Sequence, residues 1–120
     1  MYSDPNSVKR IASLGAGPIG GGWTAHFLAR GYDVNAYLHD ESETSSFMSI
    51  LKTAWVSLTE LGLARDASME RVRLVTDLEE ALDGAEFVQE SGPERLEVKQ
   101  ELYSAMGKIL PPSIIVGSST

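Results

Sequence analysis

Gly15-Ala16-Gly17-Pro18-Ile19-Gly20 is a stretch whose residue types and spacing suit the holding of negative charge, because it fits G-x-G-x-x-G. In that pattern Gly15 permits a tight turn and Gly17 lets the backbone come up to a pyrophosphate. Gly20 lets the next helix lie close on the preceding strand. The N–H groups at the helix start, together with the helix dipole, then face two phosphate charges. Pro18 suits the first helical turn, which does not need its N–H. Eleven glycines in 120 residues also produce short spacings by chance, so a flexible turn without a ligand is the competing reading. Context decides between them. Lys9–Leu14 (KRIASL) reads as a strand, and Pro18–Arg30 carries Ile19, Trp23 and Phe27 on one helix face. Dinucleotide binding at Gly15, Gly17, Pro18, Ile19 and Gly20 is the expectation.

Such a site wants an acidic residue about 20 positions on, to bind the adenosine ribose. The strand Asp33–Tyr37 should present it at its end, but position 38 is leucine; Asp40 is the nearest carboxylate with the reach. No arginine lies between Arg30 and Arg65 to receive a 2′-phosphate, so NAD is expected over NADP. His39 either contacts the adenosine or stands exposed, and exposure is the commoner outcome. There is no cysteine, which removes thiolate chemistry and disulfides. The two histidines, His26 and His39, have no ligand cluster around them, so no metal is expected.

The elements that must position these residues alternate. After Gly31, suited to end the first helix, Ser42–Leu61 places Phe47, Ile50, Leu51, Ala54, Leu58 and Leu61 at helical spacing, with Gly62 as a stop. Arg71–Val75 is a third strand. Asp77 and Glu80 have the form of a capping box opening a short helix to Leu82. Glu86–Glu90 is a fourth strand, and Glu94–Ile109 a helix with Val98, Leu102, Met106 and Ile109 on one face. Ile114-Ile115-Val116 begins a fifth strand. This alternation predicts an α/β fold: a Rossmann-type doubly wound parallel sheet, truncated after the fifth strand. Residues 1–120 are read as one such domain, the amino-terminal piece of a longer protein. A net charge of −7 argues against a general nucleic-acid surface. No apolar run has the roughly 20 residues of a membrane span, and a cytoplasmic setting is expected.

Three segments carry a family likeness: GAGPIGGGW, VQESGPERLEVKQELY at 88–103 and IIVGSST at 114–120. They resemble the NAD-binding domain of the 3-hydroxyacyl-CoA dehydrogenase superfamily, over about residues 8 to 120. The Glu-Ser-x-Pro-Glu-Arg-Leu-x-x-Lys segment is far more specific than the glycine loop, and with the closing SST looks most like the carnitine 3-dehydrogenase branch. L-gulonate 3-dehydrogenase and lambda-crystallin share much of the pattern. The resemblance implies that Glu94 and Lys99 lie near the nicotinamide half of NAD, and that Ser119 occupies the place of an asparagine near substrate and nicotinamide. It implies that the catalytic serine, histidine and glutamate fall beyond Thr120, so no catalytic residue is expected here, and that the whole protein is a homodimer. Leu38 departs from the family's aspartate. Without the likeness, residues 88–103 would read as ordinary capping chemistry at a helix start.

Coenzyme A brings several phosphate charges, yet Glu41–Ala64 holds one basic residue, Lys52, against Glu41, Glu43 and Glu60. That mismatch favours a small free 3-hydroxy acid such as carnitine as substrate. Trp55 is read as packing before substrate wall. The alternatives are a 3-hydroxyacyl-CoA (3-hydroxybutyryl-CoA) dehydrogenase and a non-catalytic, crystallin-like dinucleotide binder; a methyltransferase is a more distant rival.

Overall fold

Apolar side chains on both faces of a strand can be buried only in a sheet covered on both sides. In the computed structural model, which describes residues 9–91, 96–111 and 113–118, five strands form one parallel sheet. They are β1 (Arg10–Leu14), β2 (Asp33–Tyr37), β3 (Val72–Val75), β4 (Phe87–Glu90) and β5 (Ile115–Ser118). Their order is β3-β2-β1-β4-β5. The chain steps outward from β1 to β3, returns to the other side of β1, and steps outward again to β5. The sheet is therefore doubly wound, as the sequence predicts, with its reversal between β1 and β4. Leu14 is in register with Tyr37 and with Glu90, and Glu90 with Ser118, so these strand ends share one carboxyl edge.

The helices are α1 (Pro18–Ala29), α2 (Thr44–Leu61), α3 (Leu78–Leu82) and α4 (Leu96–Ile109). One face buries Ile11, Val34, Ala36 and Leu38 against Ala25, Phe27 and Leu28 of α1 and Phe47 and Leu51 of α2. The other buries Ala12, Leu14, Val75 and Val88 against Ala81 and Leu82 of α3 and Met106 of α4. Ile11 and Ala12 fall on opposite faces, the strand alternation at work. Each buried leucine or phenylalanine contributes about 1.5–3 kcal/mol. Trp55 packs half-buried against the first core. Leu102 and Ile109 pack against the second; the side chain of Val98 lies outside those described.

The structure corrects the reading of α1. Of the expected stripe Phe27 is buried, but Ile19 and Trp23 remain 54 % and 37 % exposed, and the rest of the buried face runs through Gly20, Gly21, Thr24, Ala25 and Leu28. Small residues let this helix press on its neighbours, which tilts the bulky stripe to the flank. The Thr24 hydroxyl donates to Ser13 Oγ of β1 at 2.9 Å, and a Cβ on Gly21 would sit 2.5 Å from Ile50 Cγ2 of α2. Local boundaries also shift. Arg71 belongs to a 3-10 turn, Met69–Arg71, ahead of β3, and a second such turn, Glu41–Glu43, precedes α2. Asp77 caps α3 through the Glu80 N–H as expected, while the Glu80 carboxylate lies 3.7 Å from Arg73.

At the amino edge of the sheet the polar side chains close on one another. Asp33 pairs with Arg71 at 2.9 Å and with Arg10 at 3.9 Å. Arg10 also donates to Asn35 Oδ1 at 2.9 Å. Asn35, fully buried, donates to the carbonyls of Ala81 at 3.0 Å and Asp83 at 3.2 Å, tying β2 to the end of α3. No helix among the described residues is long and apolar enough to cross a membrane.

Candidate cofactor site at the carboxyl edge

β1 ends in the glycine loop. Gly15 has φ 129°, a conformation other residues rarely adopt, and its N–H donates to the Tyr37 carbonyl at 3.3 Å. A Cβ on Gly20 would run into the Gly15 carbonyl oxygen, so the start of α1 is pressed on the turn. Gly17 differs: a Cβ there would meet nothing within 4 Å. The loop is thus supported below and open above. Gly17 is the N-cap of α1, with Pro18 next; no side chain caps the helix and its first turn holds no acid. Helix geometry leaves the first N–H groups without intrahelical acceptors, so they are available to an external anion. Two other starts are closed by a side chain: Asp77 caps α3, and Asp40 caps the 3-10 turn Glu41–Glu43 that leads into α2. A diphosphate fits a start built this way.

Beyond β2, Leu38 still pairs with β3 through its N–H to the Val75 carbonyl at 2.9 Å, and its side chain is in the core. Asp40 lies two residues on, exposed. Its carboxylate accepts from the Ser42 N–H at 3.4 Å and its own N–H donates to Glu43 Oε1 at 3.1 Å. This reciprocal capping box is not among the sequence-based expectations; it fixes the Asp40 carboxylate at the same carboxyl edge as the glycine loop. His39 is exposed.

The third part of the edge is formed by β4, β5 and α4. Glu90, at the end of β4, is fully buried. Its Oε1 accepts from Ser118 Oγ at 3.1 Å and from the Tyr103 hydroxyl at 3.2 Å, and Lys99 Nζ lies 3.4 Å away. Lys99 Nζ is also 3.5 Å from Ser118 Oγ. Burial, reinforced by the neighbouring Glu90 carboxylate and opposed by the Ser118 hydrogen bond, pushes the Tyr103 hydroxyl above its ordinary value, so it remains a donor at neutral pH. Lys99 was expected near the cofactor and does sit at this edge. Glu94 and Ser119 lie outside the described residues. Glu90, Tyr103 and Ser118 were missed by the sequence reading. The available signal was an acid at the carboxyl end of the fourth strand, nine positions before a lysine. Among the described residues no three His, Asp or Glu side chains gather as a metal site.

The family model for the 3-hydroxyacyl-CoA dehydrogenase NAD-binding domain matches residues 10–120. L-carnitine dehydrogenase of Streptomyces coelicolor is 45% identical over 118 residues, 98% of this chain and 37% of that protein. L-carnitine dehydrogenase of Pseudomonas aeruginosa is 40% identical over 113 residues, 94% of this chain and 35% of that protein. The chain therefore spans little more than a third of the length of these relatives. Among solved structures, the NAD+-dependent 5-formyl-3-hydroxy-2-methylpyridine 4-carboxylic acid 5-dehydrogenase superposes with a TM-score of 0.84 at 31% identity, covering 94% of this chain and 37% of that one. The 3-hydroxybutyryl-CoA dehydrogenase of Escherichia coli gives 0.77 at 26% identity, covering 95% of this chain and 25% of that one. With the glycine loop, the doubly wound sheet and the matched segment agreeing, the chain belongs to the 3-hydroxyacyl-CoA dehydrogenase family as its NAD-binding domain.

Proposed function

We propose that this chain is the cofactor-binding part of an NAD-dependent dehydrogenase that oxidises the 3-hydroxyl of a small hydroxy acid, carnitine or a close analogue, to the 3-keto product. The observation that carries the reading is the uncapped start of α1 facing open space at Gly17. The N–H groups of the Gly15–Gly20 turn bind the diphosphate, with Pro18 and Ile19 setting the first helical turn. Asp40 takes the adenosine ribose hydroxyls in place of an acid at Leu38. Lys99, with Glu94 and Ser119, serves the nicotinamide end. When bound, NAD supplies the hydride acceptor. This chain binds and orients; the base that takes the hydroxyl proton belongs to the remainder of a longer protein, which on this reading is a cytoplasmic homodimer.

Two observations favour a free hydroxy acid over an acyl-CoA. The relatives at 45% and 40% identity are named L-carnitine dehydrogenase, and Glu41–Ala64 carries Lys52 as its one basic residue. The test has two arms. Fluorescence titration of the 120-residue chain should give NADH binding at least about tenfold tighter than NADPH binding, since a 2′-phosphate would meet Asp40. Equal affinity would remove Asp40 from the ribose role. The longer protein should oxidise L-carnitine with NAD+ and leave 3-hydroxybutyryl-CoA unchanged, while the 120-residue chain turns over neither. Preference for the CoA ester would overturn the substrate assignment.

A further inference from the structure

Glu90 has no task in the reading above, and it occupies a costly place. A carboxylate at 0% exposure is tolerated only where donors converge on it. They do so here from two separate elements: Lys99 and Tyr103 on α4, and Ser118 on β5, all at 3.1–3.4 Å from the one oxygen Oε1. The place is equally specific. Glu90 is in register with Leu14, and the Ser91 N–H donates to the Leu14 carbonyl at 2.8 Å. The next residue along β1 is Gly15, so Glu90 stands beside the glycine loop where the strand order reverses. That reversal is where open α/β sheets receive ligands. Being buried, Glu90 touches no ligand itself. What it does is hold a long, flexible lysine and a serine hydroxyl in one arrangement at the mouth of the site.

We infer that Glu90 is a positioning residue for the nicotinamide half of the cofactor, acting through Lys99 and Ser118, with Tyr103 completing the clamp. The inference rests on the cofactor reading above, and its test separates the two. NADH carries both halves of the cofactor, whereas ADP carries the adenosine and diphosphate alone. Glu90→Gln keeps the shape but removes the charge. It should weaken NADH binding by about tenfold and ADP binding by less than about twofold. In a Lys99→Met background the same substitution should add little, because its effect passes through that lysine. Tyr103→Phe, at a partly exposed position, carries the same test should Glu90→Gln fail to fold. It should weaken NADH by about two- to threefold and leave ADP unchanged. Equal losses for NADH and ADP, or an undiminished effect without Lys99, would make Glu90 merely structural and overturn the inference. NADH and ADP bound equally well by the unaltered chain would overturn it while sparing the diphosphate site. Binding of neither would overturn the cofactor reading and this inference with it.

Discussion

The two ends of one sheet use polar residues in opposite ways. At the amino edge Arg10, Asp33, Asn35 and Arg71 satisfy each other and the end of α3. At the carboxyl edge the first N–H groups of α1 meet no capping side chain, and a glycine opens the space above them. The same strands carry both arrangements. The lesson is that polarity alone does not mark a site; donors left without an internal acceptor do. Even Glu90, closed in by its partners, differs from the amino-edge groups in kind. It draws Lys99 and Ser118 together at the carboxyl edge beside the glycine loop, whereas Asn35 stitches β2 to α3.

This contrast predicts that substitutions at the two ends separate stability from binding. Asn35→Ala removes the donor to the Ala81 and Asp83 carbonyls and the acceptor of Arg10. It should cost about 2 kcal/mol in urea unfolding, with NADH affinity unchanged in the folded chain. Lost affinity without lost stability would reverse the roles of the two ends. A smaller effect concerns Tyr103. Its pKa is raised above the ordinary 10.0, so the folded chain holds that proton more tightly than the unfolded one. The resulting stabilisation is complete below the ordinary value and is lost as pH rises from there through the raised value. Urea midpoints measured across that interval should fall more steeply for the unaltered chain than for Tyr103→Phe; parallel falls would detach Tyr103 from the Glu90 cluster.

Much of this was legible in the sequence, for physical reasons. Strand–turn–helix alternation and Gly31 and Gly62 at helix ends report local backbone preference, which a short window contains. The facing of α1 was not legible. Periodicity weighs bulk, whereas Gly20, Gly21 and Thr24 are buried because small residues permit close approach, a fact decided by β1 and α2. Lys99 stands out in the sequence only through its family motif. Glu90 is hidden in the sequence because its partners are 9, 13 and 28 positions away: Ser118 arrives when β5 pairs with β4, and Lys99 and Tyr103 when α4 packs back toward β4. Asp40 stands out by its distance from the glycine loop, but its engagement with Ser42 and Glu43 depends on a 3-10 turn that hydrophobic patterning does not announce.

The most direct measurement is NADH titration of Gly17→Ala beside its urea unfolding curve. Gly17 has φ −77° and open space where a Cβ would go, so the fold should accept the methyl with a change within about 0.5 kcal/mol. The same methyl would stand where the diphosphate must approach the backbone, and NADH affinity should fall by at least about tenfold. Unchanged affinity in a stably folded Gly17→Ala chain would contradict the claim that this turn holds the cofactor.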